Sequence, residues 1–161
     1  MRTAFALLLL AAPLAAQRSP HETIKGTAGA ANLTVTYGRP SLRGRSVESL
    51  EPAGEVWRIG ADLATTLTTD KDIMLGTLPL PAGTYALFAI PGPGSWKLIV
   101  NKKSDQWGLD HEKNKSEDLG QTNMTVSKLA SPVEELTLSV TDGKLKIMWG
   151  TTVAEAKITA K

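Results

Sequence analysis

The chain has 161 residues, a formal net charge of +2 and no cysteine. The missing cysteines exclude a disulfide-stapled scaffold and a lipoprotein acylated at its mature N-terminus. The small charge excess gives no basic face of the kind that nucleic-acid binding demands.

At the N-terminus, Arg2 and the α-amino group precede an apolar run from Ala4 to Ala12, which Pro13 breaks. Small residues follow at Ala15 and Ala16, and the chain turns polar at Gln17-Arg18-Ser19. Positive, apolar and small in that order is a secretory signal. The run is shorter than the roughly 20 apolar residues that cross a bilayer. Cleavage is expected after Ala16, although Leu14 is not the small residue preferred at its place. No second long apolar stretch follows, so no membrane anchor is expected once the signal is removed. The expected product is one domain over residues 17–161, exported to a periplasm or secreted, and long enough to bury a proper core.

From residue 23 the dominant rhythm is period two. Leu33, Val35 and Tyr37 alternate with Thr34 and Thr36 as a half-buried strand. Thr65, Leu67 and Thr69 make another, and Ile73 with Leu75 suggests its return after a turn at Asp70-Lys71, closed by Gly76. Thr84 to Ile90 is apolar on both faces, the mark of a central strand covered on each side. Pro91-Gly92-Pro93-Gly94 is a turn, and Trp96, Leu98 and Val100 share one face of the next strand. Asp142-Gly143 suits a type I′ hairpin turn. That turn sets Val140 against Leu145, Leu138 against Ile147 and Leu136 against Trp149, all six on one apolar face, with Ser139 opposite Lys146 on the other. Val153 to Ile158 offers a last short strand.

Helix is scarce: Ser46 to Glu51 suits a turn or two before Pro52. The expected fold is therefore all-β, a two-layer antiparallel β-sandwich of jelly-roll-like form, with a closed barrel as the alternative. Two long stretches resist the strand reading. Residues 39–62 are rich in arginine, glycine and acids, and residues 101–120 are strongly charged apart from Trp107 and Leu109. Long irregular loops are often functional, so a site is expected there.

Several fragments also carry a family pattern. They are Tyr37-Gly38-Arg39-Pro40-Ser41 with Arg43-Gly44-Arg45, Val56-Trp57-Arg58-Ile59-Gly60-Ala61-Asp62-Leu63-Ala64-Thr65, Pro81 to Pro91, Trp96, and Gln106-Trp107-Gly108. In that order they resemble the exported bacterial family catalogued as domain of unknown function 2911, from about residue 19 to the C-terminus. The resemblance implies an exported bacterial domain and no particular activity. One position departs from the pattern: Leu63 stands where a glutamate is usual. Acid–base chemistry by that glutamate loses support here, unless Asp62 takes its place.

The residue inventory favours binding over catalysis. Asp110-His111-Glu112 is three adjacent residues that do not converge on one ion in an extended strand, so it reads as a solvated loop rather than a metal site. Ser95 lacks the Gly-x-Ser-x-Gly elbow of a nucleophile. Asp62 and Glu55 are candidate carboxylates for hydrolysis, but sequence leaves their separation open. No phosphate-cradling glycine loop is present, and no cofactor is expected.

What remains is Arg39, Arg43, Arg45 and Arg58 beside Tyr37 and Trp57, with Asp62 and Trp107 as further contact candidates. Guanidinium groups grip carboxylate or phosphate and stack on aromatic rings. These residues form either a pocket for a small anion, glycan or peptide, or a set of ion pairs with Glu48, Glu51, Glu55 and Asp62 that pins the long loop. Trp96 and Trp149 sit on alternating apolar faces and are expected in the core. The leading expectation is a non-catalytic ligand-binding or structural module of the cell envelope. The alternative is a hydrolase of envelope polysaccharide or peptide using loop carboxylates. Intact-mass measurement of secreted protein should show the loss of about sixteen residues. Full-length protein retained in the cytoplasm would overturn the export reading.

Overall fold

The computed structural model describes residues 18–161, so the expected signal and its expected cleavage after Ala16 lie outside the described residues. The fold is all-β and antiparallel, as the period-two pattern requires. Nine strands form one open sheet: β1 (His21–Ala28), β2 (Ala31–Gly38), β3 (Thr65–Thr69), β4 (Ile73–Leu75), β5 (Leu78–Leu80), β6 (Gly83–Ile90), β7 (Ser95–Asn101), β8 (Asp118–Thr141) and β9 (Lys144–Ala160). Their order across the sheet is β1-β2-β3-β6-β7-β8-β9-β4-β5. The expected layers thus belong to one continuous sheet that curls over a shared core.

Alternation decides which side chains enter that core. Leu33, Val35 and Tyr37 from β2, Leu67 from β3, Leu87 and Ala89 from β6, and Leu98 and Val100 from β7 all point into one cluster. The β8–β9 hairpin adds Leu136, Leu138, Val140, Leu145, Ile147 and Trp149, the six residues that the hairpin register predicts. Val140 lies opposite Leu145, Leu138 opposite Ile147 and Ser139 opposite Lys146. The third apolar pair is not made as a ladder pair, because the register shifts beyond Thr137. The backbone N–H of Leu136 donates instead to the Pro40 carbonyl at 2.9 Å.

β6 is covered on both faces, which explains its unbroken apolar run. Its outward Ala86 and Phe88 join Ala64 and Ile99 in a second, smaller cluster. Residues 102–117 lie over that face, ending in a 3-10 helix at Glu112–Glu117. His111 is buried there with its ring 4.7 Å from Phe88 and its Nε2 3.0 Å from Asp118, so the solvated-loop reading of this residue is corrected. Asn101, Gln106 and Asn114 complete a hydrogen-bonded polar layer under the segment.

Other local expectations are revised. β3 and β4 do not form a hairpin: β3 pairs with β2 and β6, and β4 pairs with β5 and β9. Val153–Ile158 is not a separate strand but the end of β9. Inward positions along β9 switch from odd (Leu145, Ile147, Trp149) to even (Ala154, Ala156, Ile158) around Gly150, whose φ is +55°. The helix before Pro52 is a single turn, α1 (Val47–Leu50), with the Ser46 hydroxyl accepting from the Ser49 N–H. The stretch 39–62 also pairs locally with the sheet, through Ser41 opposite Glu135 and Trp57 opposite Ala89.

The β8–β9 turn has φ of +54° at Asp142 and +64° at Gly143, as a type I′ turn demands. Gly143→Val places a β-branched residue in that region and should cost about 2 kcal/mol. For a domain of this size the melting temperature should fall by roughly 4–8 °C, measurable by thermal unfolding followed by circular dichroism.

Candidate functional site

Trp57 is fixed to β6 by two backbone bonds with Ala89, at 2.7 and 2.9 Å. Between there and β3 the chain makes a tight excursion. Ile59 has φ +50° and Asp62 has φ +64°, a region that costs a non-glycine residue about 1–3 kcal/mol. Surrounding groups hold the strain. The Thr65 hydroxyl donates to the Ile59 carbonyl at 2.6 Å, Arg58 Nε donates to the Gly60 carbonyl at 3.1 Å, and the Gly108 N–H donates to the Asp62 carbonyl at 2.9 Å. The fully buried Ile59 side chain supplies an apolar anchor that offsets part of the cost.

This strained loop separates two surface pockets. One, of about 390 Å³, is lined by Arg45, Arg58, Glu55, Val56, Leu109 and the buried Trp57. The other, of about 360 Å³, is lined by Arg18, His21, Asp62, Leu63 and Trp107. Among the described residues the large apolar side chains left exposed are Val56, Leu63, Trp107 and Leu109, at 44–71% exposure, and all four border these two pockets. Exposed apolar groups gathered beside pockets in this way make this surface the candidate site.

The eight candidates from sequence separate into three groups. Arg45, Trp57 and Arg58 share the first pocket. Trp57 forms its floor as a core residue, stacked on Trp149 (centroids 5.9 Å apart, planes at 12°) and edge-on to Trp96 at 5.9 Å. Asp62 and Trp107 share the second pocket, where Asp62 Oδ2 lies 3.3 Å from His21 Nε2.

Tyr37, Arg39 and Arg43 join neither of these pockets. The Tyr37 hydroxyl donates to Glu22 at 2.9 Å and accepts from the Leu138 N–H at 3.1 Å. Burial, with smaller contributions from Glu22, pushes its pKa up to about 12. Arg39 donates to the Leu136 carbonyl at 3.2 Å and lies 3.4 Å from Glu22 and 3.3 Å from Glu135. Arg43 stands exposed on a turn, with its backbone N–H donating to Glu134.

The expected ion-pair network is therefore replaced by another. Arg39 pairs with Glu22 and Glu135 and not with the acids of the long loop. Arg45 donates to the carbonyls of Leu42 and Ser41, at 2.9 and 3.0 Å. Neither Arg45 nor Arg58 has a carboxylate within 4.0 Å among the described residues, although Glu55 lines the same pocket. Glu51 is buried, and neither carboxyl oxygen has a hydrogen-bond partner among the described residues. Glu55 and Asp62 open on different pockets, so they do not face each other across one cleft.

Sequence reasoning left Val56, Leu63, Leu109 and His21 out of the binding set. For Val56, Leu63 and Leu109 the available signal was an apolar residue placed outside the strand alternation.

Two measurements check these electrostatics. Arg58→Ala strands no carboxylate, so it should lower stability by less than about 2 kcal/mol, well under the 3–5 typical of a broken buried pair; urea unfolding measures this. Glu51 gives a pH slope. Burial, then the nearby Glu48, raises its pKa from 4.5 to about 8. Below pH 4.5 the acid is protonated in both states. Between 4.5 and about 8 the unfolded chain gives up this proton while the folded chain keeps it, so folding weakens as pH rises. Above that window the loss is complete, at up to roughly 5 kcal/mol. Glu51→Gln should remove this slope, so its stability gain over the unmodified protein should grow from pH 4.5 to 8.

The comparisons bear on identity. Searches of curated proteins and of solved structures gave no match. The family model described as "Protein of unknown function (DUF2911)" matches residues 19–158, which includes every strand of the sheet apart from the last two residues of β9. The strained loop, the central β6 and the lining of both pockets apart from Arg18 fall inside that span, and the chain belongs to this family.

Proposed function

We propose that the protein is an exported, non-catalytic binding module that takes an anionic ligand with an apolar body. The observation that carries this reading is the pair Arg45 and Arg58, lining one pocket without a carboxylate partner beside exposed Val56 and Leu109. The Nε of each guanidinium is already held by a backbone carbonyl, which orients the side chain. The remaining N–H donors of Arg58 are available to a carboxylate or phosphate, which arginine grips bidentately. The apolar rim then shelters the uncharged part of the ligand from water. A hydrolase reading has less support, because Glu55 and Asp62 line separate pockets.

Calorimetric titration with hexyl phosphate, hexanoate and the uncharged hexyl glucoside tests the proposal. The two anions should bind, more weakly as salt rises, and the neutral glycoside should bind at least about tenfold more weakly. The double variant Arg45→Gln, Arg58→Gln should lose anion binding while unfolding within about 2 kcal/mol of the unmodified protein. Equal affinity for the neutral compound, or binding that survives both substitutions, would overturn it.

A further inference from the structure

On the other side of segment 47–55 from the arginine pocket lies a groove of about 570 Å³. Val47 and Glu51 line it from the α1 segment, Pro93 from the turn after β6, Trp96 from β7, Lys128 from β8 and Thr152 from β9. Glu51 is only 3% exposed, and neither of its carboxyl oxygens has a hydrogen-bond partner among the described residues. A buried polar group left unmade bears its full desolvation cost, and natural folds satisfy nearly all such groups. Two independent features therefore coincide: a cavity large enough for a small molecule, and an unsatisfied acid in its wall.

We propose that this groove binds an organic ammonium group, with the N–H donors of the ammonium pairing to the carboxylate of Glu51. The charged groups lining the groove favour this ligand. α1 brings Glu48 and its C-terminal end brings Glu51, β8 brings Lys128, and the Pro91–Gly94 turn brings none. Lys128 is not within 4.0 Å of Glu51, so it does not neutralise it in place. A divalent metal ion fits less well. Such ions want several oxygen ligands, and no group of three metal-binding side chains gathers among the described residues. The alkyl part of the ligand finds Pro91, Pro93 and Val126 along the wall.

Binding has a defined proton balance. At neutral pH Glu51 holds its proton, since burial and Glu48 raise its pKa to about 8. The ammonium ion arrives already charged and pairs with the ionised carboxylate. One proton therefore passes from Glu51 to the buffer for each ligand bound, and no other bond is made or broken.

The test is calorimetric titration of the purified protein at pH 7, in two buffers of different ionisation enthalpy. Butylammonium represents a free amine and Nα-acetyl-lysine amide represents a lysine side chain, so the two arms distinguish the sources. Saturable binding of at least one, with release of close to one proton, is the expected result. Its affinity should rise by more than about tenfold between pH 6 and 8 as the carboxylate becomes available. Glu51→Gln should weaken it at least about tenfold and abolish proton release, while Arg58→Gln leaves it unchanged. Lys128→Gln should tighten it by removing a competing cation. No saturation by either amine up to roughly 10 mM would overturn the proposal. So would binding without proton release, or binding that Glu51→Gln leaves intact. If Glu51→Gln does not fold, the pH profile and proton count of the unmodified protein decide alone.

Discussion

β8 is longer than the strand it pairs with, and much of the architecture follows from where the surplus goes. From Lys128 to Thr137 β8 advances much further than β9 does from Thr152 back to Met148. The excess residues leave the ladder, and their backbone groups need other partners. They find them in the chain just after β2: the Leu42 N–H donates to the Glu134 carbonyl, and the Leu136 N–H donates to the Pro40 carbonyl. The sheet therefore curls until its first edge meets its own centre. Tyr37 and Arg39 reinforce the junction through Leu138 and Leu136. α1 then rests near Gly150, and segment 47–55 contributes to the lining of two different pockets.

Much of this was legible in the sequence where local chemistry and packing agree. The Asp142-Gly143 turn and the flanking alternation each give the same register, and the two-faced apolar run of β6 demands cover on both sides. Legibility failed where the deciding partner is distant. Asp70-Lys71 is a reasonable turn, but Leu67 faces Tyr85 and Ile73 faces Ala160, so β3 and β4 part company. β9 was divided because its inward parity switches at Gly150, and period-two reading treats a switch as an end.

The fold distributes over separate places the candidate side chains that the sequence groups together. Arginines close in sequence were grouped, yet the acceptor that removes Arg39 is the Leu136 carbonyl, far along the chain. Glu51 was grouped with them as a partner, when its burial comes from packing between α1 and the sheet, which no local pattern reports. The strain at Ile59 and Asp62 was equally invisible. It depends on Thr65 and Gly108 holding carbonyls from outside the loop. Exposed Leu63 and Leu109 carried the better signal, since neither fits the alternation that buries the other leucines.

The order of strands across the sheet sets a condition on folding during synthesis. β4 is made early, but it pairs with the last residues of β9, and among the described residues the ladder partner of β5 is β4. A nascent chain that has reached β7 can complete the ladder from β1 through β7. It still lacks the hairpin that closes the core over Leu33, Val35 and Leu87. Such an intermediate exposes apolar surface and an open β7 edge until the final strand is made, and long-range pairing of this kind is slow. Closure of this fold is therefore a late and largely all-or-none event, governed by the seventeen residues of β9.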